Sequence, residues 1–181
     1  MQALPVKVIA RESGGDPLLQ RERSRRIVDA LLQIGITHVV GVPDNATRLV
    51  FELLDAQQDI DVVYVCREGE AWAVASGLWI GGKVPVVIIQ NTGFLESGDA
   101  LRGTAMEMEI PLLVLMDYRG HHTLELKDKA LVDSAAAWFE PTLHAWQLPY
   151  WFLKDGHESD IIHEAATHAA SKGRPAAVLM I

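Results

Sequence analysis

The chain has 181 residues, with 16 basic and 24 acidic side chains, a formal net charge of −8 and a hydrophobic fraction of 49%. This length is enough for a single domain around one hydrophobic core. The negative charge argues against nucleic acid as a partner, because phosphate contacts need a basic surface and the arginines cluster only between Arg21 and Arg26. No membrane partner is expected either, because a membrane-spanning helix needs roughly 20 apolar residues and the longest uncharged runs are shorter, at 84–95 and 141–153.

Cys66 is the only cysteine, which excludes an intramolecular disulfide and is typical of a reducing compartment. We therefore expect a cytoplasmic protein. Residues 1–20 lack the long apolar stretch of a secretory signal, so we interpret them as an N-terminal arm or a short first strand. Residues 21–181 are then expected to form a single domain.

Helices and strands are predicted to alternate along the chain. Apolar residues at helical spacing between Ser24 and Gly35 predict a first helix with Ser24 as its N-cap, and Thr47 is placed to cap a second one. Further helices are predicted at 68–80, 98–108 and 161–170. Short apolar strands are predicted at 36–42, 61–65, 84–90, 110–116 and 176–181. The segments between them are expected to be irregular, including a loop at 91–97 and a polar stretch at 117–140.

This alternation predicts an α/β fold, a three-layer, doubly wound and mostly parallel sheet with helices on both faces. In such a sheet, ligands bind beyond the carboxyl ends of the strands. The loops expected at that edge are 43–47, 66–70, 90–98 and 117–123. They carry the polar candidates of the chain, namely Asp44, Asn45, Glu68, Gln90, Asn91, Thr92, Gly93, His121 and His122.

Several of these candidates have an equally simple structural explanation. Glu68 is compatible with a first-turn acid that complements the helix dipole. Asp44, next to Pro43, is compatible with a turn residue. His121 and His122 are compatible with solvated loop histidines, although a histidine in a cleft is a natural proton donor.

Other catalytic motifs are absent from the sequence. It contains no G-x-x-x-x-G-K-[ST] loop, no G-x-G-x-x-G after the first strand, no G-x-S-x-G elbow and no H-E-x-x-H. One cluster near the last predicted helix suggests a metal site, but an exposed polar helix face explains it better; its members are His157, Glu158, His163, Glu164 and His168.

Three segments resemble a known family in their order along the chain. GVPDNAT (41–47), VCREGEAWAVASGLWIGGKVPVVIIQNTG (65–93) and IPLLVLMDYRG (110–120) resemble the pyrimidine-binding domain of thiamine-diphosphate-dependent 2-oxo acid decarboxylases. The most specific element is Glu-Gly-x-Ala followed by Ala-x-Gly, then Gly-Lys-x-Pro and Gln-Asn-Thr-Gly. The resemblance covers roughly residues 20–181, with particular similarity to sulfopyruvate decarboxylase alpha subunits and the matching half of phosphonopyruvate decarboxylases. RGHHTLEL (119–126) instead resembles the His-His-Thr of pyruvate-type decarboxylases.

The resemblance implies roles for the candidate residues. Glu68 matches the family glutamate that bonds N1′ of the cofactor's aminopyrimidine, and a carboxyl group shielded from water can share a proton with that nitrogen. The bound cofactor would accept the electrons released as CO2 leaves. By the same resemblance, the expected catalytic residues are Glu68, His122 and Asp44. The residues expected to bind the cofactor are Glu68, Asn91, Thr92 and Gly93, and those expected to bind substrate are Asn45, Gln90 and His121.

The resemblance also implies a partner. The family binds the diphosphate and Mg²⁺ through a second domain with a Gly-Asp-Gly motif, which this chain lacks. We therefore expect an alpha subunit whose active site is completed by a separate diphosphate-binding beta subunit, with the Mg²⁺ ligands there and none here. The expected reaction is decarboxylation of a small 2-oxo acid such as 3-sulfopyruvate. A non-catalytic or regulatory domain of the same fold and a related carboligase are the alternatives.

The aromatic residues are concentrated in one segment. Half of them fall within residues 138–152, namely Trp138, Phe139, Trp146, Tyr150, Trp151 and Phe152. This concentration predicts a homo-oligomer with an interface there, and a cover over the edge of the sheet is an equally good explanation for any one ring.

Overall fold

A computed structural model describes residues 16–181, which alternate between helices and strands. The strands are His38–Gly41 (β1), Asp61–Tyr64 (β2), Pro85–Gln90 (β3), Leu113–Asp117 (β4), Tyr150–Leu153 (β5) and Ala176–Met180 (β6). The helices are Pro17–Gln33 (α1), Arg48–Leu54 (α2), Glu68–Ile80 (α3), Asn91–Glu96 (α4), Gly98–Ala100 (α5), Ser134–Ala145 (α6) and Glu158–Lys172 (α7). A π-helical segment, Leu101–Met106, follows α5, and single 3₁₀ turns occupy His121–Thr123 and Lys129–Leu131.

The strands form one six-stranded sheet in the order β2-β1-β3-β4-β6-β5, and every neighbouring pair is parallel. Strands β3, β4 and β6 are buried over almost their whole length. Continuous burial requires helices on both faces, and it explains why these strands are unbroken apolar runs rather than alternating ones. The α/β fold class predicted from the sequence is confirmed.

Two hydrophobic cores lie on opposite faces of this sheet. On one face, α3, α4, the π-helical segment and α6 bury Trp72, Phe94 and Phe139. On the other face, α1, α2 and α7 cover the side chains that alternate with these along the strands. No helix in the described part of the chain combines the length and hydrophobicity that crossing a lipid bilayer requires.

The first helix begins earlier than predicted. Asp16 caps it by accepting a hydrogen bond from the Leu18 N–H at 2.9 Å, and Pro17 fits the first turn, where no backbone donor is needed. Ser24 is therefore not the N-cap. It lies inside α1, where its hydroxyl donates to the Gln20 carbonyl at 2.9 Å. Residues 17–20, expected in the arm, are helical with Asp16 as their N-cap, and residues 1–15 of the predicted arm lie outside the described residues.

Three elements depart from the prediction. Residues 91–96 form helix α4 although a loop is expected there, because Phe94 is buried in the core and this burial outweighs the loop-forming Asn-Thr-Gly sequence. Most of α6 falls in the segment expected to be irregular, and it contains Pro141, which ordinarily disfavours a helix interior. Strand β5 forms the edge of the sheet in an aromatic run for which no strand is predicted.

Candidate functional site

The carboxyl ends of β1 and β3 form a topological switch point. The chain passes from β1 to β2 on one side, and then returns to β3 on the other side of β1. Crossovers in opposite directions leave a crevice at this edge, which is where open parallel sheets bind ligands. The four loops predicted to meet here are linked by the contacts described next, so the prediction that they share one edge is confirmed.

Asp44 joins the loop at 43–47 to the end of β3. Its Oδ1 accepts hydrogen bonds from the Ala46 and Thr47 N–H groups, each at 2.8 Å, and from the Thr47 hydroxyl at 3.0 Å. Its Oδ2 accepts from the Gln90 side-chain amide at 2.8 Å, while the side-chain Oε1 of Gln90 accepts from the Thr92 hydroxyl at 2.7 Å. Asp44 therefore acts as a turn residue, which is the structural explanation given for it above, and it also fixes the orientation of the Gln90 side chain. Thr47 precedes α2, but its hydroxyl bonds Asp44 instead of capping that helix.

Glu68 joins the loop at 66–70 to α4. It is half-buried in the first turn of α3, and its side chain lies over Gly93 so closely that a Cβ there would come within 2.1 Å of the Glu68 Cγ. Within residues 16–181, no donor forms a hydrogen bond with the Glu68 carboxylate. Glu70 differs from it, because its Oε2 accepts from the backbone N–H groups of Cys66 at 3.0 Å and Arg67 at 3.3 Å.

Asn91 joins α4 to the loop at 117–123. Its side chain is fully buried, and its amide donates to the Arg119 carbonyl at 3.0 Å. The Asn91 Oδ1 has no hydrogen-bond partner among the described residues. This side chain holds the loop after β4 in place. Asn91 is buried completely, whereas the next residue, Thr92, is only partly buried.

The remaining predicted site residues lie apart from this network. His121 is half-buried, and its ring contacts those of Tyr118 and Phe152, whereas His122 is exposed. Asn45 is exposed and lines a cleft of about 270 Å³ between α1 and α2. No hydrogen bond connects either histidine to Asp44 or Glu68 within the described residues.

A carboxylate that the sequence did not single out lies behind His121. Glu140 accepts hydrogen bonds from the Tyr118 hydroxyl at 2.9 Å and the Tyr150 hydroxyl at 2.7 Å. Burial raises the pKa of Tyr150 to about 12, and the bond to Glu140 adds to this shift. Burial and the same carboxylate also raise the pKa of Tyr118. Glu140 belongs to the unpredicted α6, so no sequence signal pointed to it.

The polar residues around α7 do not assemble a metal site. Within residues 16–181 there is no group of three or more His, Cys, Asp or Glu side chains placed to hold a metal ion. The exposed-face explanation is wrong for one member, because Glu158 is buried and bonded to Arg26. Glu164 is engaged as well, because it accepts from the Trp151 indole at 2.9 Å.

Comparison with known proteins gives a family and several relatives. Residues 21–137 match the family model of the thiamine pyrophosphate enzyme N-terminal TPP binding domain. The chain is 27% identical over 159 residues to sulfopyruvate decarboxylase subunit alpha of Methanococcus maripaludis, which covers 87% of this chain and 93% of that protein. It is 32% identical over 94 residues to phosphonopyruvate decarboxylase of Streptomyces viridochromogenes, covering 52% of this chain and 24% of that protein.

A relative of another kind is 2-succinyl-5-enolpyruvyl-6-hydroxy-3-cyclohexene-1-carboxylate synthase of Renibacterium salmoninarum, 39% identical over 98 residues, 52% of this chain and 17% of that protein. The family match spans well over half of the chain and includes all nine predicted site residues. The chain therefore belongs to the thiamine pyrophosphate enzymes and contains their N-terminal TPP-binding domain.

Proposed function

We propose that this chain is the alpha-type, pyrimidine-binding subunit of a thiamine-diphosphate-dependent decarboxylase that acts on a small 2-oxo acid such as 3-sulfopyruvate. One observation carries the proposal: the chain aligns with 93% of the length of a sulfopyruvate decarboxylase alpha subunit. Its relation to the phosphonopyruvate enzyme is different, because there it matches only 24% of the protein. Because that relative is named as an alpha subunit, we expect this chain to act as one subunit of a divided enzyme.

Glu68 fits the cofactor chemically. A carboxylate without a donor among residues 16–181 can accept from, or share a proton with, a ring nitrogen. Its position over Gly93 keeps it at the carboxyl edge, since no side chain at 93 competes for that space. The bound cofactor would supply an electron sink for the carbon–carbon bond that breaks. In this proposal Glu68 holds the exchangeable proton, while Asn91, Thr92 and Gly93 form the adjoining wall.

The other expected residues complete the same proposal. Asp44 maintains the loop between β1 and α2 and orients Gln90, which we place with Asn45 and His121 on the substrate side. His122, exposed at the same edge, is proposed to exchange protons with the reacting substrate.

A diphosphate-binding beta subunit that brings the Mg²⁺ ligands completes the proposed site. The match to a protein named as an alpha subunit supports this division. We further propose that the assembly contains more than one copy of this chain. Trp138, 67% exposed, is available for such a contact, while the other rings of 138–152 are buried or half-buried around α6 and β5. A cytoplasmic location is supported by the single unpaired cysteine, Cys66.

The decisive experiment is a decarboxylation assay with purified chain, alone and co-expressed with a partner that carries Gly-Asp-Gly. We expect the chain alone to bind thiamine diphosphate weakly and to release no CO2 from 3-sulfopyruvate, 3-phosphonopyruvate or pyruvate. The complex with thiamine diphosphate and Mg²⁺ is expected to turn over one of them. Robust turnover by the chain alone would refute the divided site, and an inactive complex that still binds cofactor would favour the regulatory alternative.

A carboligase is the second candidate, and the 39% identity to a synthase favours it. The same assay separates the two functions if an acceptor 2-oxo acid or aldehyde is included. A decarboxylase releases an aldehyde in equal amount to CO2, whereas a carboligase consumes the acceptor and forms a new carbon–carbon bond. Product analysis by mass spectrometry distinguishes these outcomes.

A further inference from the structure

The ring of His121 is held between two aromatic side chains. Tyr118, just beyond β4, packs edge-on against His121 with ring centroids 4.8 Å apart and an interplanar angle of 61°. Phe152, on β5, lies 6.0 Å from the same ring. His122 follows immediately in the chain but has no such contact among the described residues, and it is exposed. The structure therefore restrains one histidine of the pair and leaves its neighbour to solvent.

Tyr118 is itself fixed from behind by α6. It is 4% exposed, and its ring packs edge-on against Phe139 at 4.8 Å. Its hydroxyl donates to the Glu140 carboxylate at 2.9 Å and lies 3.3 Å from the Ala136 carbonyl. A buried hydroxyl needs a hydrogen-bond partner, so the bond to Glu140 fixes the position of the Tyr118 ring against α6.

The second oxygen of Glu140 fixes the other side of the same enclosure. It accepts from the Tyr150 hydroxyl at 2.7 Å, and the Tyr150 ring packs edge-on against Phe152 at 5.7 Å. One carboxylate thus joins Tyr118, which contacts His121 directly, to Tyr150, whose ring packs against Phe152, the other neighbour of His121. Hydrogen bonds to an ionised group are the stronger kind, so this anchor is firm.

We propose that Tyr118, anchored by Glu140, is a positioning residue that holds the His121 ring at the carboxyl edge of the sheet, so that His121 meets the substrate in a fixed orientation. This inference rests on the proposed function. Neither Tyr118 nor Glu140 needs to touch substrate or cofactor. Their effect passes through His121.

The kinetic test uses the complex with its beta subunit and the variants Tyr118→Leu and Glu140→Gln. Each is expected to lower kcat/KM for the 2-oxo acid about tenfold, because a misplaced reacting group loses rate steeply. Affinity for thiamine diphosphate should stay within about twofold. The matched control is Glu164→Gln, since Glu164 accepts from the Trp151 indole on the opposite face of β5, away from His121. This control should retain the wild-type rate.

A double-mutant cycle separates positioning from general damage. Tyr118→Leu should have almost no further effect on a His121→Ala background, and its full effect on a His122→Ala background, because only residues that act as a unit are non-additive. An equal loss on both backgrounds would overturn the proposal. Glu140→Gln repeats the cycle with a less buried residue if Tyr118→Leu fails to fold.

A measurement without activity keeps this inference distinct from the proposed function. In NMR spectra of the full chain with labelled histidine, the His121 ring protons should carry a ring-current shift from Tyr118. That shift should disappear in Tyr118→Leu, change in Glu140→Gln and persist in Glu164→Gln. Unmoved His121 signals in both test variants would overturn the positioning role. Moved signals in a complex with no decarboxylase activity would support the positioning and contradict the proposed function.

Discussion

Three carboxylates near the candidate site differ in what surrounds them. Asp44 accepts four hydrogen bonds and Glu70 accepts two from the chain before α3. Glu68 accepts none from residues 16–181, although it is half-buried. A half-buried carboxylate without donors is costly unless another molecule supplies one, so among these three Glu68 is the residue available for an external ring nitrogen.

Replacing Glu68 by Gln tests this assignment in the complex. The amide keeps the shape of the side chain but cannot exchange a proton, so we expect kcat to fall by about 10²- to 10⁴-fold. The thermal midpoint of the chain should stay close to that of the wild type, because no hydrogen bond within the described residues is lost. Steady-state kinetics and circular dichroism melting measure the two quantities.

Glu70→Gln is the matched control, two residues further along α3. Its carboxylate caps the helix, so the substitution should lower stability slightly, by about 0.5–1 kcal/mol, and leave kcat within a few fold. Loss of turnover in Glu70→Gln with retention in Glu68→Gln would show that the motif alignment is shifted and that the site assignment fails.

At the scale of elements, the contact of α3 with α4 depends on a glycine. Gly93 allows the Glu68 side chain to cross the first turn of α4, and an alanine methyl would lie 2.3 Å from the Glu68 Cδ. This close approach explains why the motif has glycine at a position whose backbone conformation does not itself require one.

Gly93→Ala is therefore expected to displace Glu68. The three atoms nearest the added methyl all belong to the flexible Glu68 side chain, which can move away with little change in stability, so turnover should fall nearly as far as in Glu68→Gln while the thermal midpoint stays close to that of the wild type. Gly77→Ala in α3 is the control, because a Cβ there meets nothing within 4 Å and alanine is the better helix former. The control should be neutral or more stable by about 0.4–1 kcal/mol, with unchanged kcat. Wild-type turnover in Gly93→Ala would contradict the packing argument.

Prediction from sequence succeeds where local signals and burial agree. The sequence predicts α3 at 68–80 and the structure confirms both ends, because Glu68 begins the helix in its first turn and Gly81–Gly82 ends it. It fails for α6 and β5. A helix with Pro141 inside it and a strand of four residues have weak local signals. Helix α6 packs through Phe139 against Phe94 of α4, and β5 pairs with β6, so both elements depend on tertiary contacts.

The same division holds for the candidate site. The meeting of four loops at one edge follows from the parallel order of strands, which the alternating pattern predicts. The anchoring of Tyr118 by Glu140 does not, because it depends on where an unpredicted helix packs. The spacing of residues along the sequence contains no information on the distance between Tyr118 and Glu140 in the fold.

At the scale of the whole molecule, one ion pair fastens α1 to α7 beside the edge of the sheet. Arg26 donates two hydrogen bonds to the buried Glu158 carboxylate, each at 3.0 Å, and also pairs with the exposed Asp155. Burial opposes ionisation of Glu158. The bonds from Arg26 and from the backbone N–H groups of Glu158 and Gly156 outweigh it, so the pKa of Glu158 lies below its ordinary value of 4.5.

The sign of the resulting pH dependence follows from that direction. A carboxylate whose pKa is lower in the folded than in the unfolded chain stabilises the fold fully above the unfolded value, here about 4.5, and loses this contribution as the pH falls toward the folded value. Arg26→Met removes the partner and leaves Glu158 buried without it, which costs most while Glu158 is ionised.

We therefore expect Arg26→Met to lower the Tm at pH 7 by several degrees, on the order of 5 °C, with a deficit that shrinks as the pH is lowered through 5 and 4. Arg25→Met is the control, since the neighbouring Arg25 is exposed and should change the Tm by less than about 1 °C. Thermal melts of the three chains between pH 4 and pH 7 measure the difference. A deficit that is constant over this range would mean that Arg26 acts through its packing on α7 and not through the charge of Glu158.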